Sequence, residues 1–242
     1  MTSEPKGQYR TVSGLRIRCA DSGGSASQHL VLTSPWSESL QGFGPMWTRW
    51  SGIARLLAID LPGFGRSEWR ADLVSPVAMS EFLIQILDEW NIRDPHLVCP
   101  DVGIPAALLT AARHPGRIRS LVIGGGRTAC PLEAGGAMTE PTEADLGAFM
   151  REDLRAPAHR LPPLAGLLPR IFTPVQIITG GLDPVVPAAT AGFLHAWLPN
   201  SRLDVLDTRH LAWEDASAEY CTIVAAWVSG GYLTGSAGMS LM

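Results

Sequence analysis

Two aspartates and a histidine follow apolar runs of the sequence and could carry out nucleophilic chemistry together. Asp101 and Asp183 each come after a run of strand length, and His210 comes after the last such run. A carboxylate with a reference pKa of about 3.9 is ionised at neutral pH, so it needs no base to attack an electrophile. An imidazole can draw a proton from water while a second carboxylate orients it. These residue types therefore make Asp101, His210 and Asp183 candidate catalytic residues.

A carboxylate nucleophile restricts the reaction that the chain could catalyse. Attack by Asp101 on an acyl carbon would form an anhydride, which lies uphill. Attack on a saturated carbon that bears a leaving group would form an ordinary ester, which is a plausible covalent intermediate. His210 could then activate the water molecule that hydrolyses this ester. Epoxides and alkyl halides meet this requirement, and simple esters do not.

Each of the three residues also has a purely structural interpretation. Asp101 precedes a predicted helix and could cap it, and Asp183 precedes a proline and could begin a turn. His210 could pair locally with Asp207. The order of the three residues, each near the carboxyl end of a predicted strand, favours catalysis, because ligands of open α/β sheets bind at those ends.

The elements that must position these residues alternate between strand-length apolar runs and longer segments of helical period. This alternation predicts an α/β protein with a mostly parallel sheet of eight strands, flanked by helices. The predicted strands are Tyr9–Val12, Leu15–Ala20, His29–Thr33, Arg55–Asp60, Pro95–Cys99, Ile118–Ile123, Val175–Thr179 and Ser201–Leu206. The predicted helices are Gly44–Ile53, Pro76–Trp90, Ile104–Arg113, Pro187–Leu198 and Ala216–Val228.

One long interruption of this alternation predicts a small helical lid. Residues 127–172 contain two candidate short helices, Glu143–Arg155 and Pro163–Leu168, and the segment is too long for a plain loop. We expect it to cover the carboxyl ends of the strands. The domain organisation predicted from the sequence is a single core of residues 1–126 and 173–242 with this insertion.

Three motifs identify a resemblance to the α/β-hydrolase superfamily over essentially the whole chain. They are Asp60–Ser67 (DLPGFGRS), the nucleophile-elbow segment Cys99–Gly103 (CPDVG), and Gly181–Asp183 followed later by Arg209-His210. An aspartate at the elbow is similar to the epoxide hydrolase and haloalkane dehalogenase branch. The resemblance implies the α/β-hydrolase fold, no cofactor, and a triad of Asp101, His210 and Asp183.

The same resemblance implies an oxyanion hole, and here the sequence departs from the family pattern. One backbone N–H donor would come from Val102, directly after the nucleophile. The second would come from the loop after the third strand, where the family usually has His-Gly-x-Pro and this chain has Ser34-Pro35-Trp36-Ser37. Because Pro35 has no N–H, we assign the second donor to Trp36.

The predicted pocket is apolar, but its leaving-group chemistry differs from the family. Epoxide hydrolases protonate the opened epoxide with lid tyrosines, and residues 127–172 contain no tyrosine. Arg209 stands where a glycine commonly precedes the histidine. The residues predicted to contact an apolar substrate are Trp36, Trp47, Met138, Phe149, Met150, Leu211 and Trp213.

Composition excludes several other classes of function. The net charge is −4 with scattered basic residues, so the sequence predicts no nucleic-acid partner. No apolar run predicts a membrane span or a leader peptide, and the four cysteines form no metal-binding pattern. We expect a cytoplasmic protein without a metal, acting on a small apolar molecule, and a homodimer is compatible with the sequence.

The sequence is compatible with three functions. The first is a hydrolase that acts on an electrophilic saturated carbon, with an epoxide preferred over an alkyl halide. The second is a non-hydrolytic protein of the same fold, either a biosynthetic cyclase or isomerase or a ligand binder. The third is an ester or lactone hydrolase in which Asp101 acts as a general base on water.

Overall fold

Eight strands form one sheet in the order β1-β2-β4-β3-β5-β6-β7-β8. The computed structural model describes residues 4–35, 39–73, 75–126 and 164–236. The strands are β1 (Gln8–Val12), β2 (Leu15–Asp21), β3 (His29–Thr33), β4 (Arg55–Ile59), β5 (His96–Pro100), β6 (Ser120–Gly124), β7 (Val175–Gly180) and β8 (Ser201–Leu206). Strands β1 and β2 form an antiparallel hairpin and β2 pairs antiparallel with β4, whereas all later pairs are parallel. The predicted mostly parallel sheet of eight strands is therefore confirmed.

Helices cover both faces of the sheet. The α-helices are α1 (Gly44–Ser51), α2 (Pro76–Glu89), α3 (Ile104–Arg113), α4 (Leu164–Leu167), α5 (Ala188–Trp197), α6 (Ala212–Asp215) and α7 (Ser217–Val228). Short 3₁₀ segments occupy Leu40–Phe43, Ala71–Leu73, Asp101–Gly103, Leu168–Arg170 and Gly231–Ser236. Helices α2, α3 and α5 pack in one apolar cluster and α1 and α7 in the other. Successive strand residues alternate between the clusters, as the pleat requires.

The sequence of helix α2 contains a capping residue, a proline in the first turn and an apolar face. Ser75 caps it by accepting a hydrogen bond from the backbone N–H of Ala78 (3.1 Å), and Pro76 occupies the first turn. Phe82, Leu83 and other apolar residues at helical spacing are buried against the sheet. The predicted helix and its buried face are both present.

Two segments differ from the predicted elements. The last predicted helix, Ala216–Val228, is present as α7, and a short helix that was not predicted, α6, precedes it. The end of the predicted lid also enters the core, because Leu164, Leu168 and Ile171 are buried in the cluster that contains α3. Residues 127–163, with the rest of the predicted lid, lie outside the described residues, and the lid boundaries remain a prediction.

A buried polar cluster ties the amino ends of β5 and β6 to the C-terminal part of the chain. His96 is fully buried, and its Nδ1 lies 2.7 Å from the hydroxyl oxygen of Ser120. The indole N–H of Trp227 donates to the same oxygen (2.9 Å), and the Tyr232 ring lies 5.1 Å from the His96 ring. Burial, together with the charge of Arg119, lowers the pKa of His96 from 6.5 to about 4. The imidazole is therefore neutral in the folded protein at neutral pH.

This low pKa predicts a loss of stability in mild acid. In the unfolded chain His96 takes up a proton near pH 6.5, whereas in the folded protein it does so only near pH 4. The unfolded state therefore binds more protons between these values, and the free energy of unfolding should fall by about 2 kcal/mol between pH 7.5 and pH 5 through this residue. Urea unfolding at both pH values measures it. His96→Asn should lose less stability than the parent over this interval, and equal losses would contradict the assignment.

Candidate active site

The turn after β5 holds Asp101 in an uncommon backbone conformation. Asp101 has a φ of 51°, in the left-handed region, and it begins the 3₁₀ turn Asp101–Gly103 that leads into α3. Non-glycine residues in this region are uncommon, and such strained positions cluster at functional sites. The residue is partly buried. This is the sharp strand-to-helix turn expected of a nucleophile elbow.

Small residues allow the turn to be this tight. A methyl group on Gly103 would lie 2.5 Å from the hydroxyl oxygen of Thr33 and 3.1 Å from Cβ of Cys99. Cys99 is itself buried, and burial raises the pKa of its thiol to about 12, so it acts as a small neutral residue. These contacts leave no room for a larger residue at Gly103, two positions after Asp101, and the small Cys99 packs against it from two positions before Asp101.

His210 and Asp183 form a hydrogen-bonded pair. The Nδ1–H of His210 donates to Oδ2 of Asp183 at 2.8 Å. The Asp183 side chain is wholly buried, and its Oδ1 accepts the backbone N–H groups of Val185 (2.7 Å) and Val186 (2.9 Å). Because Nδ1 carries the proton, Nε2 of a neutral His210 is left as a base. Asp183 therefore has both the turn-forming and the histidine-orienting contacts predicted for it.

The loop that carries His210 is held against the end of β7. A methyl group on Gly180 would lie 2.0 Å from the carbonyl oxygen of Arg209, and the backbone N–H of Leu182 donates to the carbonyl oxygen of Thr208 (2.9 Å). The N–H of Arg209 donates to Asp215 at 3.3 Å, and Arg209 is exposed. These contacts fix the backbone directly before His210.

Two consecutive glycines after β6 bring the Asp101 turn and the His210 loop together. A methyl group on Gly126 would lie 2.3 Å from the carbonyl oxygen of Asp101. A methyl group on Gly125 would lie 3.1 Å from the carbonyl oxygen of His210. Consecutive Cα atoms are only about 3.8 Å apart, so the two candidate residues flank one short stretch of chain.

Of the two residues predicted to form the oxyanion hole, Val102 and Trp36, only Val102 lies within the described residues. Val102 lies in the turn directly after Asp101, with its side chain buried among Leu61, Phe64 and neighbours. The N–H of Ser34 donates to the carbonyl oxygen of Ile59 (2.9 Å), so it is already used. Trp36 lies outside the described residues, and its role remains a prediction.

The predicted substrate contacts fall into three groups. Trp47 is fully buried in the cluster of α1 and α7, so its packing there is that of a core residue. Trp213 is buried beneath His210, with ring centroids 6.4 Å apart, and Leu211 is partly buried beside that cluster. Met138, Phe149 and Met150 lie outside the described residues.

No tyrosine of the chain is exposed beside Asp101. Tyr9 is exposed on β1, and Tyr232 packs on His96 at the amino ends of the strands. Tyr220 interacts electrostatically with the Cys99 thiol of the elbow segment, but it is buried in the cluster of α1 and α7. No tyrosine is therefore placed to protonate a leaving group on Asp101.

The Asp60 carboxylate, in the DLPGFGRS motif, has a structural role. It is buried and accepts hydrogen bonds from the backbone N–H groups of Leu40 (2.8 Å) and Arg66 (3.0 Å).

Residues 4–35, 39–73, 75–126 and 164–236 contain neither a metal-binding cluster nor a membrane-spanning helix. No group of three His, Cys, Asp or Glu side chains in these ranges is arranged to hold a metal ion. No helix among them is long and apolar enough to cross a membrane.

Comparison with known proteins gives several partial sequence matches and one shared fold. No protein-family model matches the chain. The chain is 28% identical over 192 residues to the dihydrolipoyllysine-residue acetyltransferase component of the acetoin cleaving system of Cupriavidus necator, which covers 76% of this chain and 48% of that protein. It is 30% identical over 131 residues to the 2-hydroxy-6-oxononadienedioate/2-hydroxy-6-oxononatrienedioate hydrolase of Cupriavidus pinatubonensis, which covers 48% of this chain and 42% of that protein. The matches thus span less than half of each relative.

A solved structure covers nearly the whole chain. The esterase of Exiguobacterium antarcticum superposes with a TM-score of 0.78 at 17% identity, covering 93% of this chain and all of that one. At this identity the likeness shows the fold alone. The chain has the α/β-hydrolase fold, as the sheet order and the flanking helices independently indicate.

Proposed function

We propose that this chain of α/β-hydrolase fold is a cofactor-free hydrolase in which Asp101 attacks a saturated electrophilic carbon of a small apolar molecule. Epoxides are the preferred substrate class and alkyl halides the second. The observation that carries the proposal is the relative position of two groups. Asp101, at a φ of 51°, contacts one end of the Gly125-Gly126 stretch, and His210, which is hydrogen-bonded to Asp183, contacts the other end.

In the first half-reaction an Asp101 carboxylate oxygen bonds to the substrate carbon. The bond from that carbon to the leaving oxygen or halide breaks, and its electron pair leaves with that atom. An alkyl ester of Asp101 results. A halide departs as an ion, whereas an opened epoxide needs a proton. With the tyrosines elsewhere, the sequence offers Glu140, Glu143, Asp145, His159 or water as the acid, and these residues lie outside the described ranges.

In the second half-reaction Nε2 of His210 takes a proton from water. The hydroxide attacks the carbonyl carbon of the Asp101 ester, and the bond to the alkoxy oxygen breaks. The proton on His210 then passes to the departing alcohol, which restores Asp101. Asp183 orients the imidazole and stabilises its positive charge while the proton is held.

Single turnover in water labelled with ¹⁸O tests the covalent step. Excess enzyme is mixed with a terminal aryl epoxide, and the peptide that contains Asp101 is analysed by mass spectrometry. The first-turnover product should carry unlabelled carboxylate oxygen, and ¹⁸O should appear in Asp101. Label that enters the first-turnover product directly, with none in Asp101, would falsify nucleophilic catalysis.

His210→Gln should trap the covalent intermediate. The glutamine cannot accept the proton from water, so Asp101 can still be alkylated while ester hydrolysis is blocked. Intact-mass analysis should show the mass of one substrate added to the variant and no adduct on the parent at steady state. Asp207→Asn is the matched control, since Asp207 is exposed near His210 while Asp183 holds Nδ1. A substrate that the parent converts but that leaves His210→Gln unmodified would count against the mechanism.

Hydrolysis of an ester or lactone is the second candidate. It is favoured by the partial sequence match to a hydrolase of 2-hydroxy-6-oxononadienedioate, a substrate that is neither an epoxide nor an alkyl halide. Asp101 would then act as a general base on a water molecule that attacks the acyl carbon. The labelling experiment separates the two mechanisms, because this one transfers ¹⁸O straight to the product.

A further inference from the structure

The hydrogen bond to Asp183 fixes only one atom of the His210 imidazole. Nδ1 is held at 2.8 Å from Oδ2 of Asp183, whereas the torsion between Cβ and the ring allows a broad range of ring orientations. Rotation of the ring about the Nδ1 contact would move Nε2, the nitrogen that takes the proton from water. The His210 side chain is 21% exposed, and solvent on that side supplies no constraint. A second contact is therefore needed to fix the direction of Nε2.

The ring of Trp213 supplies this second contact. Its centroid lies 6.4 Å from that of the His210 imidazole, and the two ring planes are inclined at 64°. Aromatic rings prefer edge-to-face arrangements of this kind, at centroid separations of about 4.5–7 Å. A change in the tilt of the imidazole would disturb the arrangement. The contact therefore restrains the torsion that the hydrogen bond to Asp183 leaves free.

Trp213 is itself held in place by its surroundings. It is buried in the apolar cluster that contains α1 and α7. It lies on the short helix α6, whose first turn is closed by N–H bonds from Glu214 (2.8 Å) and Asp215 (2.9 Å) to the carbonyl oxygen of Leu211. This turn begins one residue after His210, so the two rings are joined by a single tight turn of chain.

The same indole contacts the glycine stretch that lies between His210 and Asp101. A methyl group on Gly125 would lie 3.2 Å from Cζ3 of Trp213 and 3.1 Å from the carbonyl oxygen of His210. A methyl group on Gly126, the next residue, would lie 2.3 Å from the carbonyl oxygen of Asp101. The ring that supports the imidazole is thus located relative to the elbow as well.

We propose that Trp213 is a positioning residue for His210. Its ring fixes the plane of the imidazole so that Nε2 faces the water molecule that hydrolyses the Asp101 ester, a role that rests on the proposed function. The indole acts through His210, and its exposed fraction is only 1%. Because His210 takes part only in the second half-reaction, loss of the indole should slow hydrolysis of the ester and leave its formation unchanged.

The imidazole proton tests the positioning without a substrate. In protein labelled with ¹⁵N at histidine, the Nδ1–H of His210 should give an NMR signal that exchanges slowly with water and is absent from His210→Gln. Trp213→Leu should speed this exchange about tenfold or more, because the ring then opens away from Asp183 more often. Trp213→Phe, which keeps an aromatic ring, should restore slow exchange. Unchanged exchange in Trp213→Leu would overturn the proposal, whatever the activity.

Trp50→Leu is the matched control for the loss of a buried indole. Trp50 is fully buried in the same cluster, where its N–H donates to the carbonyl oxygen of Cys221 (3.1 Å). This variant should lose stability in urea much as Trp213→Leu does and keep the slow exchange of the His210 proton. Equal acceleration in both variants would show general loosening and overturn the proposal. Trp213→Met, whose flexible side chain fills more of the space, repeats the test if the leucine variant does not fold.

Adduct lifetimes connect the positioning to the reaction. With an epoxide that alkylates Asp101, rapid-quench mass spectrometry should show adduct formation in Trp213→Leu close to the parent rate. Hydrolysis of the adduct should be slowed about 10- to 100-fold, since a small misplacement of a catalytic group costs this much. Equal slowing of both steps would contradict the proposal. If no variant forms an adduct while exchange of the His210 proton still depends on Trp213, the proposed function fails and the positioning stands.

Discussion

Asp101→Asn should lower kcat by about 10⁴-fold or more on any substrate that the parent hydrolyses. The amide has the shape of the carboxylate and tolerates a left-handed φ, so the turn should be retained. It cannot act as the ionised nucleophile or as a general base, and replacement of one member of a catalytic triad costs losses of this order. Steady-state kinetics on the parent substrate measures the effect.

Two controls make this result interpretable. Intact mass should confirm that the variant has not deamidated back to Asp101 during the assay. Circular dichroism and urea unfolding should show a fold like that of the parent, so that the loss is chemical. Activity within tenfold of the parent would show that the reaction does not pass through Asp101, and a binding or isomerase function would then be favoured.

Gly124→Ala should be the most damaging small substitution in the described part of the sheet. A methyl group there would lie 1.5 Å from the carbonyl oxygen of Ile178, on neighbouring strand β7. The obstacle is backbone in the centre of a sheet, so both β6 and β7 would have to move. We expect a loss above about 4 kcal/mol, which is a large part of the usual 5–15 kcal/mol stability of a domain.

Gly192→Ala is the matched control for this substitution. Gly192 lies within helix α5, and apart from its chain neighbours and the backbone of its own helix no atom lies within 4 Å of its added methyl group. Alanine favours a helix over glycine by about 1 kcal/mol, so this variant should be slightly more stable than the parent. Soluble yield and urea unfolding distinguish the two. Parent-like stability of Gly124→Ala would mean that the close contact between β6 and β7 is not present.

The order of elements could be predicted from the sequence because its signals are local. Apolar runs of strand length and the helical spacing in Pro76–Glu89 specify a strand or a helix without reference to distant residues. The Asp101 turn was predictable for the same reason, since strand, small residues and helix are contiguous. The pairing of His210 with Asp183 needed the topology as well, because it depends on two strands ending at the same edge.

Other features depend on contacts that no local pattern encodes. Trp47 and Trp213 have the same residue type, yet one fills the core and the other lies beneath the imidazole. The burial of Leu164 and Leu168 depends on where α3 lies, and their spacing does not reveal it. Gly125 and Gly126 lie between Asp101 and His210 because β6, which they follow, is between β5 and β7 in the sheet.

The buried cysteines have a practical consequence for identifying substrates. Epoxides and alkyl halides react readily with thiolates, which would confuse any search for an alkylated carboxylate. Cys19 and Cys99 are enclosed, and burial raises the pKa of their thiols to about 11 and about 12, while it also raises that of Cys221. These three sulfurs should remain unmodified by mild electrophiles. With Cys130 replaced by serine, a library of such reagents could be screened on His210→Gln, and any mass gained would come from a nucleophile other than a cysteine thiolate.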